Sequence, residues 1–368
     1  MEFTIQRSEL LAGLYLTQGI VERRTTIPIL GNVLIQAGGD GVVVAATDQE
    51  LAVRRQCTAA VKKKGTLTVG ARKLYEMVRE IPDSEIHVRQ QDNYWIEVAA
   101  GKLRFRLVGL DPREFPAMPE PPAGESAVRV SGDVLTEMIE HTLFAVSADE
   151  TRVNLNGIHL EQTPDGRLRM VATDGHRLAM ITRAVEHVAL PKPVTLPRKA
   201  VVELRKVLES GEDLVELSVQ GGAAHAARGR VQMSMRLVEG EFPDYNQVIP
   251  AKSERHATID AAALHAALRR VSVVSSERTR GVKLHIDSQR LELTTINPDV
   301  GEAAEEIEIE YDGEPVGVGF NGRYLLDVLA VLPSDRRIEI GLNDEVSPGV
   351  LRSVGDADYC YIVMPMRL

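Results

Sequence analysis

The apolar and polar positions of this chain repeat one order of predicted elements three times. In each copy, apolar residues first recur at helical spacing, then alternate with polar residues as in a β-hairpin, and then return to helical spacing. Short alternating segments follow, and the copy ends in an aromatic residue or a methionine before a proline. The pattern predicts three α+β domains, each made of two helix-plus-strands halves with antiparallel sheets.

Two short motifs give the length of the repeat. Ala-Thr-Asp stands at 46–48 and returns at 172–174, which is 126 residues further along the chain. Phe-Pro at 115–116 returns at 242–243, and Met-Pro at 364–365 closes the third copy. A period of this length is a small domain with its own core, because a solenoid repeat has only about 20 to 50 residues. The predicted domains are residues 1–122, 126–249 and 252–368.

Helix boundaries are predicted from capping residues and prolines. In the first copy, helical spacing follows Ser8, a residue favoured at N-caps, and returns over 74–81, where Pro82 ends the helix. In the second copy, the apolar positions of the first helix continue to Val146. Pro197 stands where the first turn of the next helix tolerates a proline.

The composition is that of a globular protein. The chain has 368 residues, of which 44% are hydrophobic and 26% are charged. Its two cysteines, Cys57 and Cys360, lie in different copies, which argues against a disulfide framework and against a zinc site. No secretory signal and no membrane-length apolar stretch is evident, so we expect a cytoplasmic protein with no membrane partner.

The net charge of −10 lowers the expectation of nucleic-acid binding, because phosphate contacts need Lys and Arg. The three predicted second helices, over 70–80, 197–209 and 321–332, carry eight basic and five acidic residues. Their balance is therefore only weakly positive. Charge alone does not predict DNA binding for this chain.

Asp174 and His176 are close enough in sequence to suggest a hydrolase dyad. Such a site also needs a nucleophile and oxyanion donors, and no Gly-x-Ser-x-Gly, P-loop or His-Glu-x-x-His motif occurs. Ala-Thr-Asp occurs in two copies, so its Asp is equally explained as a turn residue. The residues that follow, 175–178, have no counterpart in the first copy and favour a binding site. We expect no enzyme activity, no cofactor and no metal.

Five segments carry a resemblance to a known family. They are residues 27–32, 172–178, 241–245, 280–282 and 363–368. In this order, on a threefold repeat, the chain resembles the bacterial replicative sliding clamps, the beta subunits of DNA polymerase III. The resemblance covers nearly the whole chain and implies the DNA clamp fold, with antiparallel sheets outside and helices lining a ring. Two chains would join head to tail around double-stranded DNA and slide without sequence preference.

The resemblance also implies a pocket that takes short peptides from the DNA polymerase III alpha subunit, other polymerases and the clamp loader complex. Met364 and Met366 suit such a pocket, because methionine adapts to different partners. The implied pocket residues are Leu155, Thr173, Gly175, His176, Arg177, Leu178, Pro243, Val248, Val346, Ile362, Met364, Pro365, Met366 and Arg367. Val153, Asn154 and Gln247 depart from the residues that some relatives carry beside the pocket and the DNA.

Two further sets of residues follow from the resemblance. The homodimer joint pairs Phe105 and Leu107 with Val273 and Val274, unless all four are core residues. The candidates for DNA contact, each equally explained as a solvated charge, are Arg24, Arg72, Lys73, Arg79, Arg198, Lys199, Arg205 and Lys206. The alternatives to a clamp are a scaffold of repeated domains that binds peptides without encircling DNA, and a hydrolase that uses Asp174 and His176.

Overall fold

The computed structural model describes residues 1–21, 26–120, 122, 127–209 and 213–367. The chain forms two compact units. The first comprises Met1–Asp133, Val185–Leu190 and Lys199–Leu237, and the second comprises Val134–Ala184, Pro191–Arg198 and Val238–Leu368. The middle copy of the repeat therefore contributes to both units. The predicted α+β class with antiparallel sheets is confirmed.

The helices of the described residues are α1 (Arg7–Thr17), α2 (Ala71–Glu80), α3 (Gly132–Leu143), α4 (Arg198–Leu208), α5 (Ala261–Ser272) and α6 (Gly322–Leu329). The strands are β1 (Glu2–Gln6), β2 (Asn32–Gly38), β3 (Gly41–Thr47), β4 (Leu51–Cys57), β5 (Ala59–Lys63), β6 (Gly65–Gly70), β7 (Glu85–Gln90), β8 (Trp95–Ala100), β9 (Leu103–Val108), β10 (Val128–Ser131), β11 (Gly157–Gln162), β12 (Leu168–Thr173), β13 (Arg177–Arg183), β14 (His187–Val188), β15 (Val194–Pro197), β16 (Leu214–Gln220), β17 (Ala223–Arg228), β18 (Val231–Arg236), β19 (Arg255–Asp260), β20 (Gly281–Asp287), β21 (Arg290–Asn297), β22 (Gly301–Glu308), β23 (Val316–Asn321), β24 (Arg337–Leu342), β25 (Gly349–Ser353) and β26 (Tyr359–Val363).

The first unit contains two antiparallel sheets. One has the strand order β5-β1-β7-β8-β9, and the other has the order β14-β10-β16-β17-β18-β4-β3-β2-β6. In the larger sheet β18 pairs with β4, with Met233 opposite Val53. This pair joins a strand of the second copy of the repeat to a strand of the first. The five-stranded sheet leaves β9 at one edge.

The second unit repeats this arrangement with two further antiparallel sheets. Their strand orders are β15-β11-β12-β13-β26-β25-β24-β19 and β22-β21-β20-β23. Here β13 pairs with β26, with Arg177 opposite Val363 and Leu178 opposite Ile362. The pairing brings the turn that precedes β13 beside the segment that follows β26. The four-stranded sheet leaves β22 at one edge.

Each unit has a core of aliphatic side chains supplied by strands and by one face of each helix. In α2, for example, Ala71, Leu74 and Val78 are buried while Arg72 and Lys73 are exposed. Burial of each large aliphatic side chain contributes about 1.5 to 3 kcal/mol. Both cysteines are buried and unpaired. None of the described helices is both long enough and apolar enough to cross a bilayer.

The helix boundaries partly follow the sequence predictions. Helix α2 ends at Glu80, before Pro82, as predicted. The predicted N-cap Ser8 is wrong, because β1 runs directly into α1 and Gln6 is the N-cap. Helix α3 ends at Leu143, short of the predicted Val146.

The predicted place of Pro197 in a helix is also wrong. Pro197 is the last residue of β15, opposite Gly157, and α4 begins at Arg198. A proline at the end of an edge strand loses no ladder hydrogen bond, which explains why the strand accommodates it there.

We predict that Gly157→Ala destabilises the second unit. A Cβ atom at Gly157 would lie 2.4 Å from the carbonyl oxygen of Leu196 on β15, so backbone must move. The expected loss is about 1 to 3 kcal/mol in the free energy of unfolding, measured by urea denaturation. Gly38→Ala is the matched control, because Gly38 also lies in a strand and a Cβ there meets nothing within 4 Å. Equal stability of the two variants would contradict the prediction.

Candidate functional site

The turn between β12 and β13 is held by its own side chains. The Thr173 hydroxyl donates to the Arg177 carbonyl at 2.6 Å and accepts from the Gly175 N–H at 3.1 Å. Asp174 Oδ1 accepts from the N–H groups of His176 and Arg177 at 2.9 and 3.1 Å. Gly175 has φ +88°, a conformation in which glycine carries the smallest steric penalty. The sequence Thr-Asp-Gly therefore encodes a rigid turn.

The first copy of the repeat forms the same turn without the glycine. The Thr47 hydroxyl donates to the Leu51 carbonyl, and Asp48 Oδ1 accepts from the N–H groups of Glu50 and Leu51 at 2.9 and 2.6 Å. Gln49 takes the left-handed conformation at φ +78°. The interpretation of the Ala-Thr-Asp aspartate as a turn residue therefore holds in both copies.

Asp174 and His176 are not arranged as a catalytic dyad. The second carboxylate oxygen of Asp174 accepts from Arg177 Nε at 3.0 Å. The His176 ring instead stacks on Tyr324 of α6, with 6.5 Å between the ring centroids. The described residues also contain no group of three or more His, Cys, Asp and Glu side chains that could hold a metal ion.

Arg177 links this turn to the rest of the second unit. Its Nη1 donates to Asp327 Oδ2 at 2.7 Å, and its Nη2 donates to the Phe144 carbonyl at 2.5 Å. The guanidinium carbon lies 4.4 Å from the ring centroid of Tyr324, and the side chain is only 9% exposed. Because acceptors of its own chain surround the guanidinium, Arg177 acts as a structural anchor for the turn.

A pocket of about 270 Å³ opens beside this turn, in the second unit. It lies between the turn, the short 3-10 segments Val153–Leu155 and Tyr245–Val248, and the residues at the end of β26. Most of its walls are apolar. The lining residues are Leu155, Thr173, Gly175, Arg177, Leu178, Pro243, Asp244, Tyr245, Val248, Ile362 and Met364.

Nine of the fourteen pocket residues implied by the resemblance lie in this lining. The other five are His176, Val346, Pro365, Met366 and Arg367. Val346 is 64% exposed on a loop. The Met366 N–H donates to the Gly319 carbonyl at 2.8 Å, which holds the tail beside β23 instead of letting it fray.

Two lining residues, Asp244 and Tyr245, were missed from the sequence. Both residues belong to the segment 241–245, one of the five segments that carry the resemblance, and this segment could have identified them as pocket residues. The Tyr245 hydroxyl donates to Glu161 Oε1 at 2.5 Å, and Arg169 Nη1 donates to both groups, at 3.1 Å to Tyr245 and 3.2 Å to Glu161. This network fixes one wall of the pocket.

The Glu161 carboxylate is strongly stabilised in its ionised form. The neighbouring His159 ring, the Tyr245 hydroxyl and the Arg169 guanidinium lower the pKa of Glu161 to about 2. Burial, followed by the hydrogen bond to Glu161, raises the pKa of Tyr245. The network therefore keeps the tyrosine neutral and the glutamate ionised at neutral pH.

The predicted DNA-contact residues lie on α2 and α4, except for Arg24, which lies outside the described residues. The exposed residues on α2 are Arg72, Lys73 and Arg79. Their counterparts 126 residues further along the chain, which are exposed on α4, are Arg198, Lys199 and Arg205. Within each helix the two arginines are seven residues apart, so they share a face.

Several of these cations have an acidic neighbour. Lys73 pairs with Glu76 at 2.7 Å, and Arg79 lies 3.4 Å from Glu80. On α4, Lys199 pairs with Asp48, and Lys206 pairs with the mostly buried Glu203 at 2.8 Å. The positive charge of these helices is therefore partly neutralised within the first unit.

None of the four residues predicted for the dimer joint is in the core. Phe105 and Leu107 are half-buried on the edge strand β9, Val274 is half-buried, and Val273 is 82% exposed at the end of α5. The alternative that all four are core residues is therefore wrong.

Three models of DNA polymerase III beta subunit domains match successive parts of the chain. The N-terminal, central and C-terminal domain models match residues 1–119, 129–244 and 246–367. The chain belongs to the DNA polymerase III beta subunit family. The matches cover both compact units and include every residue that lines the 270 Å³ pocket except Tyr245, which falls between the central and the C-terminal match.

Relatives and solved structures of this family align with the chain over its full length. The beta sliding clamps of Caulobacter vibrioides and Pseudomonas putida are 37% and 36% identical, with 100% of both chains covered. The crystal structure of the beta subunit from Pseudomonas aeruginosa matches with a TM-score of 0.93 at 35% identity, again with 100% of both chains covered. A Bartonella birtlesii sliding clamp bound to griselimycin matches with a TM-score of 0.94 at 38% identity and the same coverage.

We predict that Glu161→Gln flattens the acid dependence of the stability of this protein. Because folding lowers the pKa of Glu161 from 4.5 to about 2, its stabilising contribution is complete above pH 4.5 and is lost as the pH falls towards 2. The variant should therefore lose less stability than the unmodified chain between pH 5 and pH 2.5, measured by urea denaturation at each pH. Glu345→Gln, at an exposed loop position, is the control and should follow the unmodified chain.

Proposed function

We propose that this chain is a processivity factor for DNA replication, which acts as a homodimeric ring around double-stranded DNA. The observation that carries the proposal is the full-length match to the DNA polymerase III beta subunit family and to its sliding clamps. This family consists of processivity factors that are not enzymes, in agreement with the expectation from the sequence motifs. Its members act on bacterial DNA, and we propose the cytoplasm as the place of action.

The edge strands β9 and β22 support a head-to-tail joint between copies. Unpaired edge strands are templates for pairing with another chain, and β9 and β22 are such edges. Strand β9 exposes Arg104 and Arg106, whereas β22 exposes Glu302, Glu306 and Glu308. Opposite charges on facing strands favour their pairing. Two equivalent joints related by a twofold axis would close the ring.

The exposed basic faces of α2 and α4 supply the contacts to DNA in this proposal. Arg72, Arg79, Arg198 and Arg205 meet phosphates in this proposal, and Arg24, which lies outside the described residues, stays a predicted contact. Ion pairs with the chain's own carboxylates weaken the attraction of the lysines for phosphate. Weak, sequence-independent contact suits a ring that slides, because closure and not affinity retains the DNA.

The apolar pocket of the second unit holds short peptide segments of the partners. These partners are the DNA polymerase III alpha subunit, other polymerases and the clamp loader complex. The structure of the Bartonella birtlesii relative bound to griselimycin supports a ligand site in this family. Tethering by one peptide turns the rebinding of a polymerase into an intramolecular event at high effective concentration.

The ring makes a topological prediction. After loading by a clamp loader and ATP, the protein should stay on nicked circular DNA through gel filtration and leave when a restriction enzyme linearises the circle. Leu107→Asp, which places a charge on the β9 edge, should give a monomer by light scattering and abolish retention. Equal retention on linear and circular DNA would contradict closure and favour a scaffold that binds without encircling.

The pocket makes a separate prediction. Val248→Asp puts a charge into the apolar lining and should weaken the binding of a labelled peptide from the DNA polymerase III alpha subunit more than about tenfold, measured by fluorescence anisotropy. Val354→Asp is the matched control, because Val354 is exposed after β25, outside the lining and outside the predicted pocket residues, so the variant should leave binding almost unchanged. The reverse ranking of the two variants would rule out this pocket as the peptide site.

A further inference from the structure

A second groove, of about 480 Å³, crosses the face of the nine-stranded sheet in the first unit. Its lining includes two rows of paired residues. One row consists of Gln36 of β2, Val43 of β3 and Gln56 of β4, and the next consists of Arg54 of β4 and Gln232 of β18. The groove is distinct from the apolar pocket of the second unit, with which it shares no residue. Nothing in the proposed replication function uses it.

The strand register explains why this face is open. Gln36 pairs with Val43 across β2 and β3, just as Glu161 pairs with Arg169 across β11 and β12 of the second unit. Glu161 and Arg169 form an ion pair at 3.2 Å, which fills the corresponding face. Glutamine and valine cannot form that pair, so the space above them stays empty in the first unit.

Met118 is the other difference between the two faces. It follows Phe115 at the same distance as Tyr245 follows Phe242 in the next copy. Tyr245 reaches across the strands of the second unit through its hydroxyl hydrogen bonds. Met118 has no hydroxyl and lies at one side of the groove, where it offers adaptable apolar surface.

The main charge in the groove belongs to Arg54, which occupies the position of Met180 in the second unit. Its Nε donates to Gln232 Oε1 at 2.5 Å, and no other acceptor among the described residues bonds its side chain. Its two terminal nitrogens therefore remain available for a planar carboxylate, which guanidinium groups bind in bidentate geometry.

Arg230 also lines the groove but is partly engaged. Its Nη1 donates to the Thr58 hydroxyl at 2.7 Å and lies 3.9 Å from Glu9. Among the described residues, no Asp or Glu lines the groove, although the chain carries a net charge of −10. The site is therefore a local concentration of positive charge on an acidic protein.

We propose that this groove binds an extended acidic peptide segment of a partner protein. Arg54 takes a carboxylate of the segment, the amides of Gln36 and Gln56 bond its backbone, and Val43 and Met118 contact an aliphatic side chain. A nucleic acid fits less well, because the part of the lining that the structure describes contains no aromatic side chain for base stacking and only one uncommitted guanidinium.

The test uses the full chain and a defined probe. The probe is a fluorescein-labelled hexapeptide of alternating glutamate and leucine, and binding is followed by anisotropy in a Val248→Asp background that disables the apolar pocket. We expect saturable binding that Arg54→Gln weakens about tenfold and Arg54→Lys partly restores, because a charge-assisted hydrogen bond is lost and regained. A matched peptide of lysine and leucine should not bind.

Met118→Tyr gives a second variant that leaves Arg54 intact. It introduces tyrosine, the residue type at the corresponding position in the second unit. Because the larger side chain fills the groove, the variant should also weaken the binding of the probe. Absence of saturable binding, or binding unchanged by Arg54→Gln and Met118→Tyr, would overturn the proposal. Binding of a labelled deca-deoxyadenylate that Arg54→Gln weakens to the same extent would also overturn it.

Binding of the polymerase peptide to the chain with intact Val248 should be unaffected by Arg54→Gln, which separates this site from the proposed function.

Discussion

Backbone pairing between strands of different repeat copies is the constraint on which the rest of the structure depends. Strand β18 of the second copy completes the sheet of the first through β4, and β26 of the third completes the sheet of the second through β13. Each of these contacts satisfies backbone groups that an isolated copy would leave at an open edge. The compact units are consequently built from parts of neighbouring copies, and no copy is structurally independent.

The pocket is a product of the β13–β26 pair and of one local departure from the repeat. Both copies make the same Thr-Asp turn, but the position of Leu51 in the first is taken by Arg177 in the second. The arginine reaches Asp327 and the Phe144 carbonyl and so fixes the turn against α6 and the end of α3. The polar network under Tyr245 fixes the opposite wall. The apolar lining is therefore held by polar contacts outside it.

The sequence predicted what is local and periodic, and it missed what depends on long-range pairing. The α+β class, the three copies and most helices follow from hydrophobic spacing, and nine pocket residues follow from the resemblance. The division into two units could not be predicted, because no local signal records that β18 lies beside β4. Tyr245 was missed because its contribution depends on Glu161 and Arg169, more than 70 residues earlier. The start of α1 was misplaced because strand pairing at Gln6 outweighed the N-cap preference of Ser8.

The glutamates of β22 have a consequence for solubility. A bare sheet edge invites uncontrolled growth, in which one edge adds to an identical edge and produces insoluble aggregates. On β22 the exposed carboxylates would face those of a second β22 and repel them, since like charges on opposed strands are unfavourable. The row of negative charge thus makes self-association of this edge costly and guards the protein against edge-to-edge aggregation.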